Sequence, residues 1–355
     1  MSWQQRINCF CPVSGSAVTV HDDFELLDDD RPTLPRDGDI INMCRAAHQA
    51  NMARLATNSL ASISGVKIVE PTSGRAFWVK FGPTITLTEA RTQHYVAKQI
   101  SMYNASAGPA GKAPVRVPAV YRVLNTTYKH YIVMEFIDGR VCSQTMTDAK
   151  AVGTALSFLF ANIPVPQEQR GCPGPPGGGL ICHNFFVDRK SAVQYPSVDV
   201  LAAHINGVRV LLLLYTAGTY YCSSPSAQIL KKAKSKDKVD FGPEVMEHGL
   251  RFCPSDLTAG NFMRAVGDNE MIVVIDFEAW CFLPISFFQM ALGYPDSFTR
   301  LIRPFVERPE ARQTQAIELA SSFLVKYQSN MIGEHHLSLL SFLLSFSLAS
   351  SSFSR

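Results

Sequence analysis

Asp256, Asn261 and Asp276 are the side chains whose types and spacing point most directly to chemistry. They lie in LRFCPSDLTAGNFMRAVGDNEMIVVIDFE, which spans Leu250–Glu278. Asn261 follows Asp256 by five positions, and Asp276 follows Asp256 by twenty. The apolar run Met271–Ile275 reads as a short buried strand. Asp276 therefore ends a strand, and the other two residues sit on the loop before it. Three oxygen donors converging on one point suit Mg²⁺, which takes few protein ligands and completes its shell with phosphate and water. The same residues also fit a plainer arrangement, one aspartate capping a turn and another closing a strand.

A second pair lies upstream. Leu60–Glu70 and Arg75–Phe81 read as strands joined by the turn Pro71-Thr72-Ser73-Gly74. In FWVKFG, Val79 and Phe81 share one face and Lys80 takes the other. An ammonium group buried in mid-strand is costly without a partner. Glu89, at the start of a helix expected over Thr88–Tyr103, can supply one. The alternative is an edge-strand lysine that snorkels to solvent. Ala119–Leu124 and His130–Ile137 then read as an antiparallel pair, the second ending in Asp138-Gly139.

The pattern D-L-x-x-x-N followed by I-D-F-E resembles the catalytic loop and metal-binding strand of the protein-kinase-like fold. More narrowly it resembles the aminoglycoside phosphotransferase family. GGGLICHNFF and SVDVLAAHIN resemble a segment of fungal members that lies beside the substrate cleft. The resemblance implies an α+β bilobal fold: a small antiparallel-sheet lobe with a helix, a larger mostly helical lobe, and ATP in the cleft. It implies that Asp256 accepts the proton of a substrate hydroxyl and that Asn261 and Asp276 hold Mg²⁺. Lys80 would steady the phosphates, positioned by Glu89. The backbone around Glu135 and Ile137 would meet the adenine edge, with Met134 beside the base. His183 is read as structural, because no nucleophile partner is evident.

The sequence also departs from that pattern. Pro254 stands where kinase-like enzymes carry a histidine, and the segment Ala61–Val66 holds Gly65 alone in place of a glycine-rich loop. No activation segment ending in A-P-E is recognisable. The leading expectation is an ATP- and Mg²⁺-dependent phosphotransferase acting on a small hydroxylated substrate. A kinase-like binding module without turnover is the first alternative, and a protein kinase the second.

Composition sets the frame. The chain has 355 residues, 46% hydrophobic and 18% charged, with a net charge of +3, so it is globular and carries no nucleic-acid footprint. Nine cysteines without a C-x-x-C argue against zinc and against a disulfide framework. No signal segment or span of transmembrane length is recognisable, which gives a reducing, cytoplasmic expectation with no membrane partner.

The expected organisation is a loosely ordered lead-in (1–35), a small nucleotide-binding lobe (36–137), a large catalytic lobe (138–330) and a low-complexity tail (331–355). Helices are expected from Asp37 or Asp39 to Leu55, from Thr145 or Thr147 to Ala161, over Ser197–Asn206, and from Pro309 through Tyr327. Ala105–Pro118 and residues 164–179 read as loops. Gly207–Gln228 reads as a strand-like apolar insertion, a candidate retained intron. Lys231–Lys238 reads as a solvated face.

Overall fold

The structure, a computed structural model, describes residues 18–24, 32–55, 65–70, 72–108, 111–127, 129–216, 238–267 and 271–331. In chain order the elements are β1 (Thr19–His21), α1 (Asp37–Leu55), β2 (Gly65–Val69), β3 (Ala76–Gly82), α2 (Leu87–Ala107), β4 (Val115–Arg116), β5 (Val120–Asn125) and β6 (His130–Glu135). There follow β7 (Gly139–Val141), α3 (Met146–Asn162), α4 (Val198–Thr216), α5 (Gly242–His248), β8 (Arg251–Pro254) and β9 (Phe262–Ala265). The last are β10 (Ile272–Val274), β11 (Trp280–Leu283), α6 (Ile285–Leu292), α7 (Ser297–Ile302) and α8 (Thr314–Tyr327). The chain divides into two compact units: Met1–Ser101 with Val117–Asp138, and Met102–Arg116 with Gly139–Arg355.

The first unit is built on a five-stranded antiparallel sheet in the order β1-β5-β6-β3-β2. Alternation along β3 assigns its two faces. Phe77, Val79 and Phe81 point one way and pack with Ile68, Tyr131 and Val133 against Ile40, Ile41 and Cys44 of α1. The opposite face carries Ile132 and Met134, packed with Ile85 and Ala90 and with Trp78 at the margin. α1 is also tied to the sheet by a polar contact, Arg122 Nη1 donating to Asp37 Oδ1 at 2.7 Å.

The second unit holds a four-stranded sheet, β4-β10-β9-β7, in which only the β4–β10 pairing is parallel, and a separate antiparallel pair, β8 with β11. Its helices share the core with its strands and loops. Phe160 of α3 stacks on Phe288 of α6 with ring centroids 5.2 Å apart, and α8 packs on α4 and α6. Thr145 caps α3 by accepting from the Asp148 amide. Asp148 is fully buried. Its carboxylate accepts from Arg140 Nη1 and Nη2 at 2.8 and 3.0 Å, from Arg264 Nε at 2.6 Å, and from the Ser143 amide at 2.8 Å. One side chain thus joins β7, β9 and the first turn of α3.

His183 is buried, as a structural histidine should be. The Phe185 amide donates to its Nδ1 at 2.9 Å, so the proton sits on Nε2, which donates to the Phe287 carbonyl at 3.0 Å. Burial pushes its pKa down to about 4. The unfolded chain takes a proton below about 6.5, whereas the folded chain stays neutral to about 4. Stability is therefore expected to fall by roughly 3 kcal/mol as pH drops through that window, and to level off below it. Urea midpoints at pH 7 and pH 5 for wild type and His183→Asn check this. Equal pH slopes in the two proteins would refute it.

Several expectations are corrected. Gly207–Thr216 is not strand-like but continues α4. A short apolar run carries no periodicity that separates strand from helix, and here the preceding helical turns extend through it. The rest of that segment, 217–228, lies outside the described residues, as do Lys231–Asp237 and the tail from 332. α8 begins at Thr314, not Pro309. The reason is a polar knot: buried Glu244 accepts from the Ser286 amide and hydroxyl, and Ser286 Oγ in turn accepts from the Gln313 amide at 3.0 Å. That bond fixes Gln313 as the cap and holds the chain before it as a loop. Within the lead-in, Thr19–His21 forms an edge strand on β5. Two stretches not read as strands, Val115–Arg116 and Gly139–Val141, pair into the second sheet.

Candidate active site

The expected site residues fall into the two units. In the first, β2 and β6 flank β3, which places Lys80 opposite Gly65 on one side and Ile132 on the other. Glu89 lies in the first turn of α2, where its amide donates to Thr86 Oγ1 at 3.1 Å. Lys80 Nζ meets Glu89 Oε1 at 2.5 Å, with the two side chains 13% and 1% exposed. An ion pair this dry is hard to justify on stability alone, because desolvating both charges offsets most of their attraction. It holds a lysine rigidly on one face of the sheet.

Trp78 shares that face and was not singled out from the sequence. It lies directly opposite Lys67 and Met134 in the neighbouring strands. Gly65 is the residue that makes room for it: a Cβ there would come within 2.5 Å of the indole ring. Period-two counting back from Lys80 would have found Trp78. Residues 61–64, where a phosphate-covering loop was sought, lie outside the described residues.

Met134 and Glu135, expected near the adenine edge, end β6, and Ile137 follows just beyond it. Met134 is buried, and Gln93 Nε2 approaches its Sδ at 3.5 Å. The Glu135 amide donates to the Ala119 carbonyl at 2.8 Å, and the Glu135 carboxylate accepts from the Ala119 amide at 3.3 Å. That amide is used inside the sheet, and Ile137 is buried.

In the second unit, β8 delivers the chain to Asp256. The Ser255 amide donates to the Ala279 carbonyl at 2.9 Å, which continues the β8–β11 pairing to the residue before Asp256. Ser255 Oγ donates outside its own loop, to the Cys182 carbonyl at 3.3 Å. Asn261 Nδ2 donates to the Asp256 carbonyl at 3.0 Å. This fixes the loop by the amide nitrogen and leaves Asn261 Oδ1 to act as an acceptor. β9 and β10 then bring Asn261 and Asp276 together, because the Ile275 amide donates to the Asn261 carbonyl at 3.0 Å. Asp276 has φ +63°, a left-handed conformation that aspartate and asparagine accept more readily than other non-glycine residues. An amide oxygen and a carboxylate at neighbouring positions fit Mg²⁺ shared with phosphate oxygens. Among the described residues no group of three or more His, Cys, Asp or Glu offers an all-protein metal cage.

Arg189 is the other residue that the sequence reading missed. Its Nη1 lies 2.9 Å from Asp256 Oδ2.

An antiparallel sheet whose mid-strand lysine is paired to a glutamate on the following helix, and a second unit of helices and two smaller sheets that carries Asp256, Asn261 and Asp276, make the α+β fold expected from the sequence. The chain is similar in structure to spectinomycin phosphotransferase in complex with ADP and spectinomycin, at 13% identity over 84% of this chain and 88% of that one, TM-score 0.39. It is similar also to a thermostable aminoglycoside phosphotransferase bound to ADP and hygromycin B (14% identity, 82% and 93% covered, TM-score 0.42). An ethanolamine kinase from Plasmodium vivax is a third (17% identity, 81% and 78% covered, TM-score 0.36). No protein-family model and no curated protein sequence matches the chain.

Proposed function

We propose that this chain transfers the γ-phosphoryl group of ATP to a hydroxyl group of a small molecule, with Mg²⁺. The observation that carries the reading is the buried Lys80–Glu89 pair, a fixed ammonium of the kind that steadies nucleotide phosphates. The Asp256–Asn261–Asp276 arrangement supplies the remaining roles. Asp256 orients the acceptor hydroxyl. As the hydroxyl oxygen bonds to the γ-phosphorus, its proton passes to the Asp256 carboxylate. The bond from the γ-phosphorus to the β–γ bridging oxygen breaks, and ADP leaves with that electron pair. Asn261 and Asp276 hold Mg²⁺, which when bound neutralises charge on the phosphate oxygens. Such catalysis is largely positioning and charge stabilisation.

Pro254, in place of a histidine two positions before Asp256, favours a second reading: a nucleotide-binding module without turnover. Two measurements separate the readings. Titration with Mg-ATP is expected to raise the melting temperature by mass action, and ADP release is then screened over sugars, amino alcohols and aminoglycosides. Stabilisation with turnover supports phosphoryl transfer, and stabilisation without turnover supports the binding module. No shift at saturating Mg-ATP would dismiss both. Among the described residues no helix is long and apolar enough to cross a membrane.

A further inference from the structure

We propose that Arg189 is a positioning residue for Asp256, aimed by a strained loop that Asn330 locks; this rests on the phosphoryl-transfer reading. Arg189 Nη1 contacts Asp256 Oδ2 at 2.9 Å, with the two side chains 54% and 29% exposed. A salt bridge that open is worth little to folding, on the order of 0–1 kcal/mol. The backbone beneath it is nonetheless held at a cost. Four non-glycine residues among those described have positive φ, and three of them are Asp188 (53°), Arg189 (58°) and Asp276 (63°). Strain gathered at one place persists only where the surroundings over-determine it, and such places are characteristically functional.

The over-determination is visible. Asn330 Oδ1 accepts from the Val187 amide at 2.7 Å, and its Nδ2 donates to the Val187 and Lys190 carbonyls at 2.9 and 2.6 Å. The His183 amide donates to the Arg189 carbonyl, and the Arg189 amide donates to the Phe186 carbonyl. At its start the loop is fastened to the Asp256 segment as well, since the Cys182 carbonyl accepts from Ser255 Oγ. The loop is thus joined to the residue before Asp256 and to Asp256 itself. A guanidinium on Oδ2 fixes the carboxylate rotamer and leaves Oδ1 to serve the acceptor hydroxyl. Arg189 acts through Asp256 and need not touch the acceptor.

The test uses the full chain with Mg-ATP and water as the acceptor, so that no substrate need be identified. Arg189→Gly removes the cation and tolerates φ near +58°. Its kcat for ATP hydrolysis is expected to fall by about tenfold or more while KM for ATP stays within about twofold. Millimolar guanidinium chloride is expected to restore much of that kcat in Arg189→Gly and to do nothing for wild type. Should Arg189→Gly fail to fold, Arg189→Asn, which also tolerates a left-handed backbone, is read in its place. An unchanged kcat, or a loss that guanidinium does not rescue, overturns the positioning role. If the variant matches wild type while Asp276→Ala is dead, this inference alone has failed. If wild type binds Mg-ATP but releases no ADP with water or with any sugar, amino alcohol or aminoglycoside, the phosphoryl-transfer reading has failed and takes Arg189's role with it.

Discussion

Asp276→Ala is expected to abolish Mg-ATP turnover, lowering kcat by at least about 10³-fold, the upper end of what removing one stabilising group costs an enzyme. The carboxylate is the one charged protein ligand offered to Mg²⁺ in the proposed site, and Asn261 beside it supplies only an amide oxygen. Without that charge the metal is held by neutral groups and by the phosphates alone. Backbone strain complicates the alanine variant. Asp276 sits at φ +63°, where alanine is disfavoured and asparagine is tolerated. Asp276→Asn is therefore the cleaner variant: it keeps size and backbone and removes the charge. Asp276→Asn should melt close to wild type, and both variants should fail to release ADP. Full turnover in Asp276→Asn would remove Asp276 from the metal site.

Asp148→Asn is expected to cost about 3–5 kcal/mol of stability with no direct effect on phosphoryl transfer, because breaking a buried charge network leaves Arg264 unpaired in a dry place, while Arg140 can turn to water. Arg264 is the exposed casualty in energetic terms: its side chain is only 15% accessible and its Nε lies 2.6 Å from the lost charge. Hydrogen bonds from the arginines and from Ser143, set against burial, hold the Asp148 carboxyl well below the usual carboxylate range. The sign follows directly. The stabilisation is complete above the unfolded carboxylate pKa, near 4, and is lost as pH falls below it. That window lies beneath the His183 window, so acid unfolding should show two separable slopes. Denaturant midpoints for Asp148→Asn measure the first claim. A loss under 1 kcal/mol would mean that the arginines find water instead.

Much of the fold was legible because local patterns carried it. Alternation placed Lys80 away from Val79 and Phe81, and spacing of nine residues put Glu89 within its reach. The loop from Asp256 to Asn261 and the apolar run before Asp276 are short-range features of the same kind. What escaped is long-range. Arg189 and Asp256 are 67 residues apart, and Asn330 and Val187 are 143 apart. No periodicity connects such positions. A two-residue strand such as β4 likewise has too few side chains to announce itself, and owes its existence to β10. The helical state of Gly207–Thr216 was decided by the turns before it, not by its own composition.

The close fit of Gly65 under the Trp78 indole has a bearing on how this sequence can drift. Neither position can change size by itself: a methyl group at one collides with the ring of the other, and a smaller residue at 78 leaves a hollow beside the lysine. Relatives of this chain should therefore carry the two as a matched set, glycine with tryptophan, or a bulkier residue at 65 with a lesser one at 78.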